Sequence, residues 1–158
     1  MTTFPIVGIG SGSYFSAWQA CGLTSFPAID LSGGTNFAYA WKSCGSMTTF
    51  PIVGIGSGSF QEAWNGCSSL AELAAIDMSG ATSLATALNN CSALASILAT
   101  GWDLDFSVAN CALQAAALDT LYGNLASVAK TITVTGNPGV GADDPSIATA
   151  KGWTVTGS

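Results

Sequence analysis

Five cysteines, Cys21, Cys44, Cys67, Cys91 and Cys111, are the residues of this chain best suited to chemistry. Thiols form disulfides or hold zinc. Their spacing fits neither: they recur about once per 23 residues, unlike the close CxxC pairs of zinc sites, and an odd count cannot all pair within one chain. One cysteine per repeat at one structural position predicts a stacked column of buried thiols about 5 Å apart. The chain has no His, which removes the commonest general base and zinc ligand.

The carboxylates add little. Asp103 and Asp105 form an Asp-x-Asp with Asp119 further on, but without the loop of a calcium site. They read as loop carboxylates capping a helix. Asp30 and Asp77 fall two repeats apart, too far for the roughly 5–10 Å of a glycosidase pair, and Glu62 and Glu72 share a repeat with no evident pocket. The loop GIGSGS lacks the GxGxxG spacing, the following lysine and the βαβ setting of a phosphate cradle. No catalytic residue, metal ligand or cofactor site is assigned, and an enzyme is not expected.

The elements carrying these residues come from a repeat. The thirteen residues MTTFPIVGIGSGS occur at 1–13 and again, letter for letter, at 47–59. Trp18, Trp41 and Trp64 stand 23 apart, each three before a cysteine; Leu88 and Val108 take that place in two further units. Seven before the cysteine come Tyr14, Phe37, Phe60, Leu84 and Leu104; four before it come Ala17, Ala40, Ala63, Ala87 and Ser107. Offsets of three, four and seven describe one face of a helix, so each unit is expected to contain a one- to two-turn helix. After the cysteine, Leu23, Phe26, Ile29 and Leu31, with their counterparts from Met47 and from Leu70, predict a short strand turning a corner. Gly-Ser loops join the two, Asp30 or Asp77 leading into them in alternate units.

The pattern Cys-x-x-Leu-x-x-Phe/Leu, with Ala-Trp and an aromatic upstream, resembles the bacterial-surface class of leucine-rich repeat. That class includes the BspA-like proteins and a related repeat of phage tail fibres. The matching segments are AWQACGLTSFPAIDLSGGTNF, AWKSCGSMTTFPIVGIGSGSF and AWNGCSSLAELAAIDMSGATSL. The resemblance implies an α/β solenoid: right-handed coils with short parallel strands and short helices, and Asn or Cys buried at the turn. Five coils are expected over 1–111 and a cap over 112–158. In the cap, CALQAAALDTLYGNL reads as a helix with Leu118, Leu121, Tyr122 and Leu125 on one face. Thr131–Asn137 reads as a strand with Ile132 and Val134 inward, Ser146–Lys151 as a short helix, and WTVTGS as a last strand. The ending resembles those of repeat-bearing tail fibre proteins, with their Gly-Asn-Pro loop, short helix and Gly-Trp-Thr-Val strand.

Two surfaces are candidates for binding. The first repeat begins on an apolar edge, Met1, Phe4, Val7 and Ile9, expected to seat upstream repeats, another virion protein or a second copy of the chain. The strand face offers small polar groups at Thr24, Ser25, Thr48, Thr49, Glu72 and Ser96, suited to a host receptor or glycan. The formal net charge is −6, with three Lys and no Arg, which argues against nucleic acid and anionic membranes. Mean hydropathy is +0.47, yet no apolar run approaches the roughly 20 residues of a membrane span, so no insertion is expected. The expectation is a phage virion protein, the distal receptor-binding part of a tail fibre; capsid or tail decoration and a bacterial surface adhesin are the alternatives.

Overall fold

The computed structural model describes residues 11–50 and 52–158. Its strands are two to four residues long, too short to hold in isolation; only stacking makes them stable. In chain order they are β1 (Gly12–Ser13), β2 (Ile29–Leu31), β3 (Gly34–Asn36), β4 (Ile52–Ile55), β5 (Gly58–Ser59), β6 (Glu72–Leu73), β7 (Ala81–Ser83), β8 (Ser96–Ile97), β9 (Phe106–Ser107), β10 (Thr131–Thr133) and β11 (Thr154–Thr156). The helices are α1 (Ala115–Gly123) and α2 (Ser146–Thr149).

All pairing is parallel, in the order β1-β3-β5-β7 and β9-β10-β11, and a bridge from Leu84 to Phe106 joins those two sheets. A second side pairs β2 with β4 and bridges Asp77 to Thr100. A third bridges Ser25 to Thr49 and pairs β6 with β8. The chain is a parallel β-solenoid of about six turns.

The coils differ from the expected α/β form. Residues 14–21, 37–44, 60–67 and 84–91 contain no helix. Each of the first three runs is two successive four-residue turns, with bonds such as Ala40 N to Phe37 O and Cys44 N to Trp41 O, both 3.1 Å. The third residue of each turn is left-handed: Ser16, Ala20, Tyr39, Ser43, Glu62, Thr86 and Asn90 have φ of 50–62°, and Gly66 has 76°. Other N–H groups reach the neighbouring coil: Trp18 N to Ala40 O at 2.8 Å, Trp41 N to Ala63 O and Trp64 N to Ala87 O at 2.9 Å. The reason is width. Coils stacked at the strand spacing of about 4.8 Å leave no room for helices about 10 Å across. Two four-residue turns bury the same offsets a helix would, while leaving donors free for the next rung.

The core is built of columns. Trp18, Trp41 and Trp64 stack with centroids 5.4 Å apart and planes within 9°. Phe37 lies on Phe60 at 4.9 Å, and Phe26 on Phe50 at 5.3 Å. Such pairs add about 0.5–1.5 kcal/mol each beyond the area they bury. The glycines of GIGSGS have a steric cause: a Cβ on Gly56 or Gly58 would fall 2.0 Å from Gly34 O or Thr35 O of the preceding coil.

In the fifth coil the structure puts Phe106, not Leu104, in the aromatic column, because Phe106 bridges Leu84. The chain there is shortened, and only the second turn survives, with Asn110 left-handed at φ 59°. Leu104 packs against the core from its margin. The ending keeps the expected order of helix, strand, helix and strand, but each element is shorter than read: Leu125 falls outside α1 and Asn137 outside β10. Leu118, Leu121 and Tyr122 of α1 are buried, Ile132 and Val134 point inward, and β10 continues the ladder of β9. Among the described residues no helix is long and apolar enough to cross a membrane.

Candidate functional site

The cysteine column forms as expected. All five thiols are free, and four are buried. Each buried sulfur donates to a carbonyl one coil earlier: Cys44 Sγ to Trp18 O at 2.9 Å, Cys67 to Trp41 O and Cys91 to Trp64 O at 3.1 Å, Cys111 to Leu88 O at 3.2 Å. Half-buried Cys21 has its sulfur 3.0 Å from that of Cys44. Burial pushes the Cys67 thiol up to about 12 and, with the Cys21 thiol beside it, holds Cys44 well above its ordinary range. The contact with Cys111, then burial, does the same for Cys91. Thiols held protonated are poor nucleophiles, so Cys44, Cys67 and Cys91 serve as scaffold.

The column has a sixth member that the repeat pattern does not reveal. Asn137 follows Val134 as Cys111 follows Val108, and it is buried. Its Nδ2 donates to Val108 O and Val134 O, both at 2.8 Å, and its Oδ1 accepts from Leu113 N at 3.1 Å. The signal in the sequence is the spacing alone: Asn137 stands three after Val134, as Cys111 stands three after Val108.

The acids stay apart in role. Asp30 and Asp77 each accept from the backbone two residues on, at Ser32 N (2.8 Å) and Ser79 N (2.9 Å), forming the loop turns expected of them. Those backbone bonds, then the serine hydroxyls, lower both carboxyls below their usual range. Asp105 accepts from Thr131 N and Asp119 from Asp144 N, each at 2.7 Å, tying successive coils. Among the described residues no three of His, Cys, Asp and Glu come together as a metal site.

The strand face presents its small polar groups in register. Thr24, Ser25, Thr48, Thr49 and Glu72 are exposed and Ser96 is half-buried. Thr48 Oγ1 donates to Thr24 O at 2.9 Å, and Thr49 Oγ1 to Ser25 Oγ at 3.1 Å. Between Thr48–Thr49 and Ala71–Glu72 lies an open depression of about 400 Å³. Met1, Phe4, Val7 and Ile9 lie outside the described residues.

The turn side carries a group that sequence reasoning passes over. Phe15 is 58 % exposed and meets half-exposed Tyr39 edge-on, centroids 5.5 Å apart at 64°. Gln61 Nε2 donates to Tyr39 Oη at 3.2 Å. Lys42 Nζ sits 5.1 Å from the Tyr39 ring centroid and 2.5 Å from Glu62 Oε2. Three successive coils thus contribute one connected aromatic and polar cluster. The one clue in the sequence is that these residues occupy the outward positions between columns. No protein-family model matches the chain, and neither a curated protein nor a solved structure shows significant similarity to it.

Proposed function

We propose that this chain is a non-enzymatic recognition rod of a phage virion, the distal part of a tail fibre that binds a host-cell surface receptor, glycans included. The observation that carries the reading is the rigid presentation of outward side chains. Rung after rung, the backbone is bonded to its neighbours, so exposed groups recur at coil spacing on a surface that need not reorganise to bind. Preorganisation of that kind lowers the entropy cost of association, and extended solenoid faces are the usual binding surfaces of repeat proteins. The negative charge and scarcity of cations support a partner other than nucleic acid.

The finer parentage, the bacterial-surface class of leucine-rich repeat, rests on the Cys-x-x-Leu motif and on Asn137 taking the cysteine place. The helical side of that class is here replaced by turns. In this reading other virion proteins meet the Met1, Phe4, Val7, Ile9 edge.

The experiment is a pull-down of the purified chain against whole cells of candidate hosts and against purified capsids. Saturable binding to one host, competed by that host's surface extract, is expected. Tight binding to capsids with none to any cell would make the protein a decoration instead.

A further inference from the structure

We propose that ligand specificity resides on the turn side of the first three described coils, and that the ligand is an uncharged saccharide seated against Phe15 and Tyr39. The proposal rests on the recognition reading above and locates its site.

The first argument compares the chain with itself. After the identical thirteen residues come YFSAWQACG in one copy and FQEAWNGCS in the other. Ala, Trp and Cys of the columns are kept, and Tyr14 becomes Phe60, still aromatic. The changes fall between the columns: Phe15 to Gln61, Ser16 to Glu62, Gln19 to Asn65 and Ala20 to Gly66. The coil between has Ala38, Tyr39, Lys42 and Ser43 at those places, so three coils carry three different residues at each of four positions between the columns, of which Ala38 alone is buried. The strand face of the same three coils varies less: Thr24 and Ser25, Thr48 and Thr49, Ala71 and Glu72, with Glu72 the one residue that is not small. Thr48 and Thr49 are as free of the core as Gln19 and Ala20, all four being exposed. Packing therefore does not explain why the strand face stays mostly small while the turn side gathers aromatic, amide and charged groups. A surface that reads a partner does.

The second argument is the chemistry of the diversified residues. Phe15 offers an open apolar ring face, and Tyr39 a second ring at an angle to it. Aromatic rings give large contact area at small entropic cost. Beside them lie the Gln61 carboxamide, the Lys42 ammonium and the Glu62 carboxylate, donors and acceptors within one connected network. Lys42 and Glu62 neutralise each other, leaving a patch with no net charge to attract an ionic ligand. An open apolar ring face edged by hydrogen-bonding groups whose charges cancel suits a sugar ring, whose C–H face is apolar and whose rim is hydroxyl. Tyr39 and Glu62 occupy left-handed backbone at φ 60° and 52°, where Gly or Asn fits with less strain.

The test uses the full chain on a printed array of neutral and acidic oligosaccharides and on host cells, before and after periodate or protease treatment. Phe15→Ala and Tyr39→Ser are compared with the strand-face variant Thr49→Val, each first matched to the parent by thermal melting. Expected are binding to neutral oligosaccharides, loss of about tenfold or more in affinity for Phe15→Ala and Tyr39→Ser, and a change under about twofold for Thr49→Val. Host-cell binding that survives both turn-side variants would overturn the location while leaving the recognition reading intact. Binding abolished by protease but untouched by periodate would make the partner a protein and overturn the ligand class. A parent chain that binds neither cells nor sugars would overturn both readings together.

Discussion

Residues 37–44 and residues 106–111 close the same corner of the solenoid by different means. The first uses two turns, a buried tryptophan and a cysteine; the second uses a strand residue, one turn, a valine and a cysteine, and passes the ladder on to Val134 and Asn137. The indole N–H groups follow the same divide. Those of Trp41 and Trp64 in the column lack a hydrogen-bond partner, whereas Trp102 donates to Ala99 O at 2.9 Å and Trp153 to Ala126 O at 2.8 Å. The tryptophan column leaves those two donors unpaired, whereas Trp102 keeps both its hydrogen bond and a parallel stack on Phe106, 4.5 Å away at 15°. What survives in both is the ladder and, at its corner, a small donor aimed at the carbonyl one coil earlier.

The largest expected effect tests the ring column. Trp41→Ala removes a fully buried indole stacked on both sides, so denaturant unfolding should show a loss of about 3–5 kcal/mol. The exposed Phe15→Ala, by contrast, should stay within about 0.5 kcal/mol of the parent. A Trp41→Ala effect no larger than that of Phe15→Ala would mean the columns are not what holds the coils together.

Asn137 tests the equivalence of the two corners. Asn137→Ala strands Leu113 N–H and withdraws a donor from two buried carbonyls, a loss of about 2–3 kcal/mol. Asn137→Cys should cost less, because a thiol there can reach Val108 O as Cys111 reaches Leu88 O. Equal melting temperatures for the two variants would break the equivalence.

Much of this architecture is legible in the amino-acid sequence. Trp18, Trp41 and Trp64, the cysteines and the apolar residues after them name the columns, since a residue buried between identical rungs must suit every rung. Asp30 and Asp77 announce their turns because an aspartate followed by serine and glycine offers its side chain the backbone two residues on. What is not legible has physical causes. Offsets of three, four and seven describe a helix and a pair of four-residue turns equally well, and only the width of the stacked coil decides between them. Leu104 and Phe106 compete for one column, and the bridge to Leu84, invisible in one dimension, settles it. The Phe15–Tyr39–Gln61 cluster joins residues from three coils, and no periodicity marks residues that lie between the columns.

A smaller effect separates the corners by pH. An unfolded Cys67 thiol ionises near its ordinary value of 9.0, whereas the folded one stays protonated up to about 12. The folded state then holds the extra proton, so stability is fully present below pH 9 and falls above it, by about 1.4 kcal/mol per pH unit for this one group. Urea unfolding of Cys67→Ala at pH 8, 9 and 10 should show a shallower decline than the parent. The Asn137 corner has no such proton to lose, and an equal slope in parent and variant would show that Cys67 is not protected.

The smallest effect decides by its sign. Ala20 and Gly66 occupy the same place in their coils, both left-handed, at φ 54° and 76°. Left-handed backbone costs an L residue roughly 1–2 kcal/mol, against about 0.4–1 kcal/mol by which Gly loosens the unfolded chain. Ala20→Gly should therefore stabilise by about 0.5 kcal/mol. Gly66→Ala should destabilise by a similar amount, its new Cβ meeting nothing nearer than Ser43 Oγ at 3.5 Å. Were residues 14–21 the helix their spacing describes, both signs would invert, since Gly in a helix interior costs about 1 kcal/mol relative to Ala. Two melting curves thus distinguish turn from helix at the position where the repeat pattern alone cannot.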